Sequence, residues 1–194
     1  MDAPNAMNPA SLEQRLARVE LVAFDVDGTL TRGEIVYGNS EQLQQYDVRD
    51  GLGIVELRRA GIRVAWITGR GCAATERRAK ELSIDELRMD SGPKREVLAQ
   101  IQAKLGVEPS QTCAMGDDLP DLALFERAAV KAAPADAAAE VLAAADFRAK
   151  RRGGRGAARD LAEALLRARG VWDEVVARYA GWAGVDTTKS EVRG

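Results

Sequence analysis

Three short apolar runs in this chain stop abruptly at polar motifs. Val19-Glu20-Leu21-Val22-Ala23 leads into Phe24-Asp25-Val26-Asp27-Gly28-Thr29-Leu30-Thr31. Arg63-Val64-Ala65-Trp66-Ile67 leads into Thr68-Gly69-Arg70, and Thr112-Cys113-Ala114-Met115 into Gly116-Asp117-Asp118-Leu119-Pro120-Asp121. Apolar runs of this length read as buried strands. Between them lie helical patterns over 50–60, closed by Gly61, over 72–82, and over 94–105, closed by Gly106. Strand and helix in alternation, with short connections, predict an α/β fold whose parallel sheet carries helices on both faces. Ligands of such sheets bind beyond the carboxyl ends of the strands. Asp25, Asp27, Thr68, Asp117 and Asp118 therefore fall along one rim, with Lys94 at a helix start on the same side.

The rest of the chain fits around that sheet. Residues 1–10 read as a flexible tail, and Ser11 as the cap of a helix reaching Val19. Two extended stretches around Gly38-Asn39-Ser40 predict a β-hairpin insertion over 34–48, too small to fold alone. Beyond Met115 we expect a helix to Arg127, a strand over 129–132, a helix over 135–144 and a strand near Phe147. Two helices within 157–180 and a flexible tail over 187–194 close a single domain spanning 1–194. Trp66 reads as core, Trp172 and Trp182 as anchors of the terminal helices or an interface.

A chain of 194 residues, 46% apolar and 30% charged, suits one globular core. A net charge of −2 argues against general nucleic-acid binding, and no apolar run approaches a membrane span. No basic-then-apolar leader is visible, and two isolated cysteines suit a reduced, cytoplasmic protein. The sequence has no histidine, which removes histidine bases, histidine metal sites and Ser-His-Asp schemes together.

What remains is carboxylate chemistry. Side chains two apart on a strand face the same side, so Asp25 and Asp27 reach one pocket. Their mutual repulsion calls for a cation or a shared proton, although Asp-Gly also suits a plain solvated turn. A phosphate monoester fits the set. Mg²⁺, held by Asp25, Asp117 and the backbone carbonyl of Asp27, would neutralise the ester enough for Asp25 to attack phosphorus. The resulting aspartyl-phosphate splits hydrolysis into two easier steps, with Asp27 moving the protons. Thr68 and neighbouring backbone N–H groups would bond the phosphoryl oxygens, and Lys94 would offset their charge.

Asp25-x-Asp27-Gly28-Thr29, Thr68, Lys94 and Gly116-Asp117-Asp118-x-x-Asp121 resemble, in order and spacing, the four motifs of the haloacid-dehalogenase (HAD) phosphatases. The resemblance implies a HAD-like Rossmannoid sheet, with Asp25 as nucleophile, Asp27 as acid/base and Asp117 as metal ligand. Asp118 would support the metal or Lys94 from the outer shell, and Asp121 would act from the same loop. A narrower resemblance rests on Tyr37-Gly38-Asn39, Val48-Arg49-Asp50-Gly51-x-Gly53, Ile67-Thr68-Gly69-Arg70, 76–82, Ala133-Pro134-Ala135-Asp136-Ala137 and Arg151-x-Gly153-Gly154-x-Gly156-Ala157. These are similar to the 3-deoxy-D-manno-octulosonate (KDO) 8-phosphate phosphatases. That subfamily implies a minimal β-hairpin in place of a cap domain and a homotetramer whose subunits cover one another's sites. It further implies a basic tail loop reaching a neighbour's active site.

The chain departs from the subfamily at Arg32, at Met89-Asp90 and at Pro93, near where a sugar would touch the protein. Gly69, Arg70, Arg49, Arg32 and Arg151 are candidate substrate contacts. Each arginine also has an alternative reading as a solvated surface charge. The substrate alternatives are a sialic-acid-type 9-phosphate or another small sugar phosphate. From a different class, a non-catalytic binding or oligomerisation module on the same fold is the further alternative.

Overall fold

Alternate residues of the central strands part to opposite faces of the sheet, as the two-residue period of a strand requires. Val22, Phe24, Val64 and Trp66 enter one core with Ile54, Leu57, Leu161 and Leu165. Leu21, Ala23, Ala65 and Ile67 enter the other with Leu98, Ile101, Leu124 and Val141. The computed structural model describes residues 10–38 and 42–183. The expected tails, the turn residues Asn39 and Ser40, and the side chain of Trp182 lie outside the described residues. Trp66 is fully buried, as expected of a core residue.

The strands are β1 (Leu21–Phe24), β2 (Val36–Tyr37), β3 (Gln42–Leu43), β4 (Arg63–Ile67), β5 (Glu86–Arg88), β6 (Thr112–Met115), β7 (Val130–Ala133) and β8 (Phe147–Arg148). Six of them form one sheet in the order β5-β4-β1-β6-β7-β8, every pair parallel. β1 lies at the centre, with Phe24 in register with Trp66 on one side and Met115 on the other. The three motif-bearing strands are therefore neighbours and end level with one another. The α/β class and the parallel sheet are as the alternation predicted.

The helices are α1 (Leu12–Ala17), α2 (Val48–Arg59), α3 (Ala73–Glu81), α4 (Lys94–Leu105), α5 (Leu122–Phe125), α6 (Ala139–Ala144), α7 (Ala157–Ala168) and α8 (Trp172–Ala183). Ser11 caps α1 as expected, and a capping box with Gln14 closes that turn; the helix stops at Ala17, short of Val19. Other boundaries move too, among them the end of α5, at Phe125 and not Arg127. α2 starts at Val48, before the expected residue 50, because Asp47 accepts the Arg49 N–H as its N-cap. α6 starts at Ala139 and not at 135, since 134–138 turns and Asp136 accepts the Gly153 N–H at 2.9 Å.

The hairpin is far shorter than 34–48: β2 and β3 pair only as Val36 with Leu43 and Tyr37 with Gln42. Beyond β3 the ladder stops, and Gln44 bonds Asp27 while Tyr46 stacks on Trp66. The glycines of the basic loop pack against their own chain, behind the turn that follows β1. Gly154 N–H donates to Thr29 O at 2.9 Å, and a Cβ on Gly153 would lie 1.6 Å from Gly28 O. Among the described residues no helix is long and apolar enough to cross a membrane.

Candidate active site

At the end of β1 the backbone turns back on itself, Leu30 and Thr31 N–H both donating to Val26 O. Gly28 sits in that turn at φ +101°, a left-handed conformation open to glycine. It is also pressed against β6's loop: a Cβ there would fall 2.0 Å from Asp117 Oδ2. Glycine thus lets two carboxylate-bearing strand ends converge. A cleft of about 440 Å³ opens over them, lined by Asp25, Asp27, Thr68, Gly69, Arg70, Lys94, Asp117, Asp118 and Asp121 among others.

Lys94, the first residue of α4, reaches into the cleft and holds two buried carboxylates at once. Its Nζ lies 2.6 Å from Asp25 Oδ1 and 2.6 Å from Asp121 Oδ1. Asp121 uses its other oxygen to accept the Asp117 and Asp118 N–H groups, at 2.9 and 3.2 Å. It therefore shapes the loop that carries Asp117. Asp118, exposed, caps the short helical turn that follows by accepting Leu119 N–H, away from Lys94. Asp117 accepts the Thr29 hydroxyl at 2.9 Å. The Thr68 hydroxyl accepts Arg70 N–H and donates to Asp27 Oδ2 at 2.9 Å.

The charges do not balance. Carboxylate oxygens of Asp25, Asp117 and Asp121 lie within 4.8 Å of one another, against one ammonium. Burial raises the Asp25 carboxyl well above the usual range; Asp121 adds to this, and Lys94 only partly offsets it. Burial likewise pushes Asp117 up to about 6. Desolvation pulls the Lys94 ammonium down, but Asp25 and Asp121 together outweigh it and its pKa is raised. Clustered hard oxygen donors short of positive charge are what a small divalent cation suits.

The other candidate residues divide. Gly69 and Arg70 stand on the cleft wall. Arg32 and Arg49 border a separate hollow of about 530 Å³ with Tyr46, Gly154 and Arg155. Arg49 is paired there with Asp47 at 2.6 Å. Arg151 lies 3.5 Å from Asp160, its side chain packed against Gly156. Asp90, at a departure from the subfamily pattern, takes φ +49° and accepts Gly71 N–H at 2.7 Å, bracing the turn that bears Arg70. Gln44, which sequence reasoning passed over, donates to Asp27 Oδ1 at 2.9 Å. Nothing in Gln42-Leu43-Gln44-Gln45 singles it out; only the path of the chain after β3 brings it to the site.

A parallel sheet with paired aspartates after its central strand, a lysine from a following helix and further aspartates after the next strand defines a HAD-like hydrolase. A profile of the haloacid dehalogenase-like hydrolases matches residues 89–159. The KDO 8-phosphate phosphatase KdsC of Escherichia coli K12 is 36% identical over 166 residues, 85% of this chain and 88% of that one. Its counterpart in Haemophilus influenzae is 36% identical over 160 residues, 82% and 89% of the two chains. The crystal structure of the Moraxella catarrhalis phosphatase, in complex with magnesium, phosphate and KDO, superposes with a TM-score of 0.84. It is 35% identical and covers 86% of this chain and 97% of that one. The chain belongs to the KDO 8-phosphate phosphatase family of the HAD-like hydrolases.

Proposed function

We propose that this chain, as one HAD-like unit over 1–194, hydrolyses KDO 8-phosphate to KDO and phosphate with Mg²⁺ as cofactor. The observation that carries the reading is Lys94 bridging Asp25 and Asp121 beside Asp117, at the ends of adjacent strands. Family membership at 36% identity supports the substrate. Asp25, Asp117 and the Asp27 carbonyl would hold the ion, with Asp121 occupied by Lys94 and the loop N–H groups. Bound there, Mg²⁺ supplies the positive charge that lets a carboxylate approach a phosphate dianion.

Asp25 forms a bond to phosphorus as the bond from phosphorus to the sugar oxygen breaks. Asp27 gives the proton that makes the leaving oxygen an alcohol. Water then attacks the aspartyl-phosphate, Asp27 takes the water proton, and phosphate leaves with Asp25 restored. Lys94 keeps Asp25 in place and meets charge growing on the phosphoryl group. Arg70, on the cleft wall, is assigned to the sugar acid's anion in preference to Arg32, Arg49 and Arg151, which have other surroundings. Asp118 supports the loop.

The enzyme is assigned to the cytoplasm, in keeping with the free Cys72 and Cys113. It is assigned a homotetrameric assembly in which neighbours cover each cleft, in keeping with the exposed apolar hairpin. The test is phosphate release from KDO 8-phosphate, a sialic-acid-type 9-phosphate and other sugar phosphates, with Mg²⁺ or chelator. We expect Mg²⁺-dependent turnover that favours the KDO ester and is abolished by Asp25→Asn. Equal rates across the panel would remove the substrate assignment; unchanged release by Asp25→Asn would remove the mechanism.

A further inference from the structure

Asp27 is gripped from both sides. Thr68 donates to Oδ2, and Gln44 Nε2 donates to Oδ1, each at 2.9 Å. The far end of Gln44 is just as constrained, its Oε1 accepting from Thr75 Oγ1 at 2.6 Å and Tyr46 OH at 2.7 Å. The opposite amide orientation would set Oε1 against the Asp27 carboxylate, oxygen facing oxygen, so the carboxylate dictates which way the amide points.

The partners of that amide are rigid. Thr75 is fully buried on α3. The Tyr46 ring stacks on Trp66 with centroids 5.9 Å apart and planes 11° apart. Trp66 in turn is fully buried within β4. Burial pushes the Tyr46 phenol up to about 12, so it keeps its proton at any working pH. A rigid path thus runs from the sheet core through Tyr46 and Gln44 to one carboxyl group.

We propose that Gln44 is a positioning residue that fixes the rotation of the Asp27 carboxyl, so that its proton is aimed at the leaving oxygen of the ester. This rests on the phosphatase reading above. One hydrogen bond leaves a carboxyl free to swing about its own axis; two, one to each oxygen, define its plane. An acid aimed in this way matters where the leaving group is an alcohol that cannot depart as an anion. It matters little where the leaving group is a stable phenolate.

The experiment compares Gln44→Leu with the unaltered enzyme in Mg²⁺, on an alkyl sugar phosphate and on para-nitrophenyl phosphate. The quantity read is kcat/KM, which reports steps through the first phosphoryl transfer and excludes the shared hydrolysis of the aspartyl-phosphate. The ratio of alkyl to aryl kcat/KM falls by about 10–100-fold, a part of the roughly 10²–10⁴-fold that general acid catalysis supplies. Tyr46→Phe, which keeps the ring stack and removes one donor to the amide, shifts the ratio the same way by less. In an Asp27→Asn background, Gln44→Leu causes no further fall. Equal losses on both esters, or an undiminished Gln44→Leu effect without Asp27, would overturn the inference and leave the phosphatase reading intact. Should the unaltered enzyme release phosphate from neither ester, the phosphatase reading itself fails, and the inference with it.

Discussion

Single residues at the strand ends were the most readable part of this chain. Asp25 and Asp117 announce themselves by type and place, because charged groups just after buried strands are costly unless paired or used, and Lys94 by its place at the start of α4. Their partners were hidden. Asp121 rather than Asp118 meets Lys94, a choice made by the turn at 119–121, which swings one carboxylate inward and leaves the other exposed. Gly28 belongs to the readable set for conformation but not for contact. Sequence showed a turn there, whereas the structure shows Asp117 in the space a side chain would need. Gly28→Ala therefore does two kinds of damage: it strains a residue at φ +101° and drives Asp117 aside. The strain costs about 1–2 kcal/mol, a tolerable loss of stability. Displacing a carboxylate proposed to hold the metal is the graver effect. We expect the variant to fold, by circular dichroism, and to bind Mg²⁺ at least about tenfold more weakly by calorimetry, in line with the sensitivity of metal sites to ligand support. Unaltered Mg²⁺ affinity would show that Asp117 needs no such approach.

Among the elements, the helices and strands of the sheet were legible from period and apolar content, and the short irregular links were not. The hairpin and the basic loop depend on tertiary partners that local pattern does not encode. One such partnership joins α2 to α7: Asp50 on α2, only 3% exposed, accepts Gly156 N–H at 3.1 Å and Arg159 N–H at 2.8 Å. It closes the amino end of α7 and anchors the basic loop. Burial raises its carboxyl to about 6, against the pull of those two N–H groups. An unfolded aspartate titrates near ~3.9. Between about pH 4 and pH 6 the native chain then holds a proton that the unfolded chain has released, and stability from this group falls as pH rises through that window. The loss is on the order of 3 kcal/mol, at 1.36 kcal/mol per unit of pKa. Asp50→Asn removes the titration while keeping one acceptor. The stability of the variant relative to the unaltered chain should improve by up to that amount from about pH 4 to pH 7, whatever its starting offset. Urea unfolding across that range reads the difference directly. Parallel stability curves would mean that Asp50 stays ionised in the native state.

At the scale of the whole molecule, the cleft lies open and has no cap domain over it among the described residues, while the hairpin beside it displays apolar groups. Ile35, Val36 and Leu43 are exposed, Tyr37 is 81% exposed, and Val48 and Leu52 extend the surface onto α2. A two-stranded ribbon of this size is not stable by itself, and a contiguous apolar surface on a water-facing element marks a partner site. Local pattern predicted a hairpin too small to fold alone; that Ile35, Val36, Tyr37 and Leu43 all face water is seen only in the structure. In the proposed tetramer a second copy buries that face and shields the phosphoryl group from bulk water. Tyr37 is the sharpest probe, being large, exposed and not part of the cleft lining. A charge placed there has little to disturb within one chain but would be buried unpaired between chains, a change of several kcal/mol against assembly. We expect the unaltered protein at micromolar concentration to run at four times 20.9 kDa in native mass measurements. Tyr37→Asp should shift it to smaller species while melting of the single chain changes little. Its kcat/KM should fall with the loss of assembly and recover as protein concentration is raised. An unaltered protein that stays monomeric, or a dissociated Tyr37→Asp variant with full activity, would leave the cleft complete within one chain and the apolar hairpin without a catalytic role.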